Sequence, residues 1–344
     1  MTRPLLLLNA ATAWITEAAL RCPTGLRQAL MQRLAIGPAA ANRLLQRLES
    51  LQWLQRSGTP RRPLFQPGAL RQVVRQYAIA GLQEDTPWVQ DFLPCFALPD
   101  HIAQMAQHAF TELLNNAIEH SGGSSVTVSM RQTPLQLQLL VSDNGRGIFD
   151  AIGEHFQIND PAQAMLELAK GKLSTRPDAH NGRGLFFTAR LADIIDLHAN
   201  DHAFQQRDWQ REQWHHTRPA CRQGSAVYVA FCLDTERRLD AVLRRYSLDG
   251  LGYGFERTVV PLQLASGPQL ALASRAQARR VALHLQRFRR VELDFEGLTE
   301  VGHGFADELL RVFHHQHPEV DLVPVNMSPQ VAAMVNSVRE VMPA

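Results

Sequence analysis

TELLNNAIEHS, Thr111–Ser121, sets Glu112, Asn116 and His120 at i, i+4 and i+8. On a helix these three share one face, while the leucines between them turn the opposite way into a core. One carboxylate and one amide in such a stripe suit a hydrated magnesium ion carrying a triphosphate, because Mg²⁺ takes oxygen ligands and keeps much of its water. Two glycine turns follow, DNGRGI at Asp143–Ile148 and NGRGL at Asn181–Leu185. The alternative is an amphipathic helix followed by ordinary glycine-rich turns.

In this order the three pieces resemble the nucleotide site of the GHKL (histidine kinase-like, or Bergerat) ATPases. Within that superfamily the nearest look is that of the small bacterial serine kinases that act as anti-sigma factors. The resemblance spans residues 95 to 233 and implies a two-layer α+β domain binding ATP with Mg²⁺. It implies that Glu112 is the general base and Asn116 the magnesium ligand. Asp143 would accept a hydrogen bond from the adenine amino group, with Gly145 and Gly147 letting the backbone approach the ring. Gly182, Arg183, Gly184 and Leu185 would lead into a helix whose N-terminal amides hold the triphosphate. Between the turns, Ile148 to His180 reads as a lid with a helical middle, PAQAMLELAKGKLS, and a loop, STRPDAHNGRG, expected to move until nucleotide arrives. Lys170 and Lys172, the only lysines in the chain, are placed to reach a terminal phosphate or simply to solvate a lid face. ATPase, kinase and nucleotide sensor remain open alternatives.

At 344 residues and 45% hydrophobic content, the chain has room for two or three domains. No stretch reads as a leader or a bilayer span, so a cytoplasmic location is expected. Cys22, Cys95, Cys221 and Cys232 are scattered without a C-x-x-C pair and read as reduced core residues. His198, His202, His215, His216 and Cys221 match no zinc spacing, and an exposed hairpin is the better reading of that insertion. Charge is uneven. Eleven arginines against Glu17 and Glu49 give residues 1 to 77 a charge of +9, so with +2 overall the remainder carries −7. A basic N-terminal segment points to a polyanionic partner.

Thr12 to Leu64 reads as three short helices and a hairpin, with Pro38 opening the third helix. RLLQRLESLQWLQRSGTPRRPLFQPG resembles a winged helix-turn-helix, in which a recognition helix leads into a wing. That likeness makes Asn42, Arg43, Gln46 and Arg47 donors for base edges and backbone, and Arg61 and Arg62 phosphate contacts. A dimerisation module is the other reading. DNA binding by a homodimer reading two half-sites is the expected use.

Residues 69 to 100 read as helical and then broken, with 78–100 an acidic, proline-bearing linker. Gly224–Leu233 resembles the closing strand of the ATPase fold, and 236–252 a connecting helix. From residue 253 to 344, strands alternate with helices capped by Ser274 and Ser328. This small α/β unit resembles a STAS-like domain, which implies a docking site for a protein partner. Its usual phosphoacceptor position reads Val301-Gly302-His303-Gly304, without Ser or Thr. The expected fold is therefore multidomain: winged helix (1–77), GHKL ATPase (101–235) and STAS-like domain (253–344).

Overall fold

The computed structural model describes residues 3–173, 182–210, 214–219, 222–266 and 271–339. The chain is a multidomain α/β protein that divides into two compact units. One is drawn from residues up to Gly145 together with 192–197 and 223–236, the other from 146–191, 198–222 and residues from Arg237 onward. None of the described helices is long and apolar enough to cross a membrane.

The first unit begins with α1 (Arg3–Thr12), α2 (Ile15–Arg21), α3 (Leu26–Leu34) and α4 (Pro38–Ser50). Pro38 sits at the start of α4, where its missing N–H costs nothing. An antiparallel hairpin follows, β1 (Leu54–Thr59) with β2 (Arg62–Pro67), turning at Pro60-Arg61. Ile15, Leu26, Leu30, Leu44, Leu48, Trp53 and Phe65 share one apolar core, so helices and hairpin form a single packed element.

The next element differs from expectation. Arg71–Ala78 is a strand, β3, not a helix, and it pairs antiparallel along its length with β4 (Ser125–Gln132). Leu70, Val73, Val74 and Tyr77 recur at a spacing that also fits a helix, and the partner strand decides the conformation. The outer edge of β3 is covered by the N-terminal helices: Gln72 N–H donates to Thr16 Oγ1 and Val74 N–H to the Ala13 carbonyl. That satisfies groups an edge strand otherwise leaves open. Residues 78–100 likewise do more than connect. Trp88 and Phe92 are buried and meet Phe110 edge-on at 5.3 and 5.1 Å. Phe110 belongs to α5 (Asp100–His120), whose buried face runs Ile102, Met105, Ala106, Ala109, Phe110, Leu113, Leu114 and Ala117.

The strands that follow are β5 (Gln136–Asp143), β6 (Ile194–Asn200), β7 (His202–Arg207), β8 (Trp214–His216) and β9 (Arg222–Cys232). In the first unit the order is β3-β4-β5-β9-β6, with β3, β4, β5 and β9 successively antiparallel. β4 alternates buried and half-exposed residues, which gives the sheet one face for the core.

In the second unit β7 and β8 form an antiparallel pair beside the end of β6. Helices α6 (Ile148–Phe156), α7 (Pro161–Lys170) and α8 (Gly184–Leu191) also belong here. The Asp160 carboxylate caps α7 by accepting from Ala162 N–H at 2.9 Å, Pro161 opens it, and Gly171 at φ 78° ends it. After α9 (Leu239–Arg245) comes an alternating unit. It contains β10 (Arg257–Pro261), β11 (Ala271–Leu272), α10 (Arg275–Ala282), β12 (Arg290–Asp294), β13 (Glu300–Val301), α11 (303–316), β14 (Asp321–Val325) and α12 (Pro329–Arg339). Three of its strands are parallel in the order β10-β12-β14. Ser274 makes a capping box with Gln277, and Ser328 Oγ accepts from Val331 N–H at 3.3 Å.

Candidate functional site

In the first unit, the polar stripe and the first glycine turn meet around the end of α5. Glu112 and Asn116 are half-buried on α5, while Leu113, Leu114 and Ala117 face the core. At the helix end, Ser121 Oγ donates to the Ala117 carbonyl at 2.6 Å and accepts from Gly123 N–H at 2.9 Å. A Cβ at Gly145 would lie 2.2 Å from the Ser121 carbonyl oxygen, so only glycine lets the turn press against the helix. Asp143 is buried at the end of β5 with 5% exposure. Its Oδ1 accepts from Gly145 N–H at 2.8 Å and from Ser225 N–H at 3.2 Å, fixing the carboxylate plane.

Two participants escaped the sequence reading. Gly224, at φ +91°, has no room for a Cβ, which would sit 2.3 Å from the Asp143 carbonyl oxygen. Ser225 supplies the second amide to Asp143. The only signal for either was a Gly-Ser pair ahead of an apolar strand.

The second unit carries the other motif residues. Gly147, at φ +90°, would place a Cβ 2.6 Å from Asn200 Nδ2. Asn200 Nδ2 in turn donates to the Arg146 carbonyl at 2.7 Å and to Asp150 Oδ2 at 2.6 Å, so a residue at the end of β6 pins the turn. No motif spacing pointed to Asn200. Gly182, at φ +60°, packs so tightly on Leu173 that a Cβ would lie 2.3 Å from its carbonyl oxygen. Its own carbonyl accepts from Lys172 N–H at 2.9 Å. Gly184 opens α8, and Leu185 is buried behind it. Arg183 Nε is buried and has no hydrogen-bond partner among the described residues.

The two lysines part ways. Lys170 is sealed, 1% exposed, with Nζ 2.6 Å from Glu167 Oε1, so it does not serve a phosphate from this position. Burial pushes its pKa down, and Glu167 opposes that shift. Lys172 is half-exposed; its Nζ donates to the Arg287 carbonyl at 2.6 Å and lies 4.4 Å from the Phe288 ring centre. Burial, then Arg183, push its pKa down to about 8, with Glu256 opposing. The expected loop at 174–181 lies outside the described residues, as does Cys221. Among the described residues no group of three or more His, Cys, Asp or Glu is placed to hold a metal ion. Cys95 is buried as expected, but Cys22 is exposed.

Each unit carries residues whose chemistry suits one part of a magnesium nucleotide. In the first unit, oxygen-bearing Glu112 and Asn116 suit a hard cation; in the second, Arg183 Nε is a buried donor with no hydrogen-bond partner among the described residues. At the N-terminal end, Asn42, Arg43, Gln46 and Arg47 are all exposed on α4 opposite its buried Ala41, Leu44, Leu45 and Leu48. Arg61 and Arg62 are exposed at the hairpin tip.

Two known families match parts of the chain. Residues 80–204 match one described as a histidine kinase-like ATPase domain, and residues 277–332 match a STAS-like domain of unknown function. No curated protein matches the chain. The first match begins before Trp88 and Phe92, in keeping with their burial against α5. The chain thus contains a histidine kinase-like ATPase domain, which implies nucleotide binding, followed by a STAS-like domain, which suggests interaction with a protein.

Proposed function

We propose that the chain is a regulator that binds Mg-ATP and answers by changing how its N-terminal arginine surface engages DNA. The observation that carries the nucleotide half is Asp143, buried and held by two backbone amides beside a glycine turn that tolerates no side chain. In this reading Asp143 accepts from the adenine amino group, and Gly145, Gly147, Gly182, Gly184 and Leu185 shape the backbone around the nucleotide. Arg183 and Lys172 serve the phosphates. Asn116 holds magnesium, which when bound neutralises phosphate charge. Glu112 takes a proton from whatever hydroxyl or water attacks.

Asp143→Asn keeps an oxygen for Gly145 and Ser225 but presents an amide in place of the second carboxylate oxygen. Loss of a hydrogen bond to a charged group costs about 1.5–3 kcal/mol, or about 10- to 150-fold in affinity. Calorimetric titration with Mg-ATP should show that weakening at an unchanged melting temperature. A parent protein that gives no heat with Mg-ATP would remove the proposal.

For the DNA half, α1–α4 with the β1–β2 hairpin support a winged helix-turn-helix reading: Asn42, Arg43, Gln46 and Arg47 are exposed on α4, and Arg61 and Arg62 on the wing. A homodimer would set two such helices about 34 Å apart on half-sites. If the arginines neutralise four or five phosphates, affinity should fall about 100- to 500-fold between 50 and 200 mM salt. Fluorescence anisotropy with a random duplex measures this, and no binding at 50 mM counts against it. The STAS-like match favours a second reading, a protein kinase or anti-sigma-like partner switch using the N-terminal surface for protein contact. Transfer of label from γ-labelled ATP to a protein, lost in Glu112→Ala, would select that reading.

A further inference from the structure

We propose that the STAS-like domain restrains the nucleotide site through its Leu283–Arg287 turn, which clasps the stretch Glu167–Lys172 and holds Lys172 away from phosphate. This rests on the nucleotide reading above and adds the regulation of that site.

The clasp has two parts. In the first, Glu167 and Lys170, one turn apart on α7 and each 1% exposed, form an ion pair. Lys170 Nζ also donates to the Leu283 carbonyl at 3.0 Å, and His284 Nδ1 lies 3.0 Å from Glu167 Oε2. Gln163 Nε2 donates to both Glu167 Oε1 (3.0 Å) and the Arg280 carbonyl (3.1 Å). Thr258 Oγ1 donates to the Lys170 carbonyl at 2.6 Å. In the second, Lys172 and Arg287 exchange hydrogen bonds: Nζ to the Arg287 carbonyl at 2.6 Å, and Arg287 Nη1 to the Lys172 carbonyl at 2.8 Å. Lys172 N–H reaches the Gly182 carbonyl, so one residue joins the STAS-like turn to the second glycine turn.

A buried ion pair rarely stabilises more than apolar side chains of the same size would. What it does is demand one alignment, since a slipped helix would strand a charge. Here the alignment is between α7 and the turn after α10. In that alignment the Lys172 ammonium is committed to a carbonyl and to the Phe288 ring, with Arg183 and Arg287 as like charges nearby. Nucleotide phosphates must draw it off those partners. A binding-competent state that is only partly populated weakens apparent affinity by that fraction, and whatever loosens the turn restores it. Because such coupling is reciprocal, nucleotide would loosen the turn for a protein docking on the STAS-like domain.

The test is calorimetric titration of the full chain with Mg-AMPPNP, in the parent, in Glu167→Gln/Lys170→Met and in His284→Ala. The double variant removes both charges while keeping their bulk, and His284→Ala removes a half-exposed contact, so it decides the matter if the double variant does not fold. We expect about tenfold tighter binding in the double variant and a smaller gain in His284→Ala, about 1.4 kcal/mol for the former. Affinity within twofold of the parent, or weaker binding, in a variant with a parent-like melting temperature overturns the restraint and leaves the nucleotide reading intact. A parent that binds no nucleotide sinks both.

Discussion

Glu112→Ala is expected to lower phosphoryl transfer, to water or to a protein acceptor, by about 10²- to 10⁴-fold, the usual contribution of a positioned general base. Under the proposed function its carboxylate takes the proton as the attacking oxygen closes on phosphorus, so it acts in the transition state more than in binding. Glu112 is half-buried on α5, four residues before Asn116 on the same face. The affinity for Mg-ATP should therefore change little while the rate falls. Single-turnover measurement with γ-labelled ATP at saturating magnesium separates the two. Glu112→Gln keeps the shape and loses the base, and should be as slow as Glu112→Ala. An unchanged rate in both variants would leave Glu112 as a binding residue only. A parent without any turnover would make the site a sensor.

What could be read from the sequence was whatever depends on local periodicity. The Glu112–Asn116 face follows from 3.6-residue repeats, as do the exposed donors on α4 and the helix after Ser274 with its reciprocal cap. β3 could not be read that way, because Val73 and Val74 fit either repeat and the choice was made by β4, some 50 residues later in the chain. Trp88 and Phe92 were hidden among acidic residues and prolines, and only the Phe110 face of α5 makes them core residues. Asn200 packs on Gly147 in the second unit and Gly224 on Asp143 in the first, each from the end of a strand whose sequence says nothing about its neighbours. The N-terminal element was legible as helices and hairpin, but not its attachment: Thr16 and Ala13 cap the edge of β3. The N-terminal element is thus held to the sheet by backbone contacts, not by a slack tether.

Lys170 shows the limit most plainly, because a lysine beside glycines reads as a phosphate ligand until its surroundings are known. Its surroundings give a large expected stability effect. Glu167→Ala leaves the ammonium 1% exposed without its carboxylate, and breaking a buried pair from one side costs about 3–5 kcal/mol. For a cooperative unit of 150–250 residues that corresponds to a melting temperature lower by about 6–20 °C. Glu167→Gln/Lys170→Met, which removes both charges, should lie much closer to the parent, so one substitution is expected to do more harm than two. The loss should also depend on pH. Burial already lowers the Lys170 pKa, and without Glu167 nothing of comparable strength raises it. A lysine whose folded pKa lies below its unfolded value destabilises the fold while protonated, so stability rises with pH until the unfolded lysine titrates, near 10.4. The deficit of Glu167→Ala is therefore expected to shrink between pH 7 and pH 10. Thermal melts across that range check the sign, and a deficit that is small at pH 7 or grows with pH would mean that the Leu283 carbonyl carries the buried charge without help.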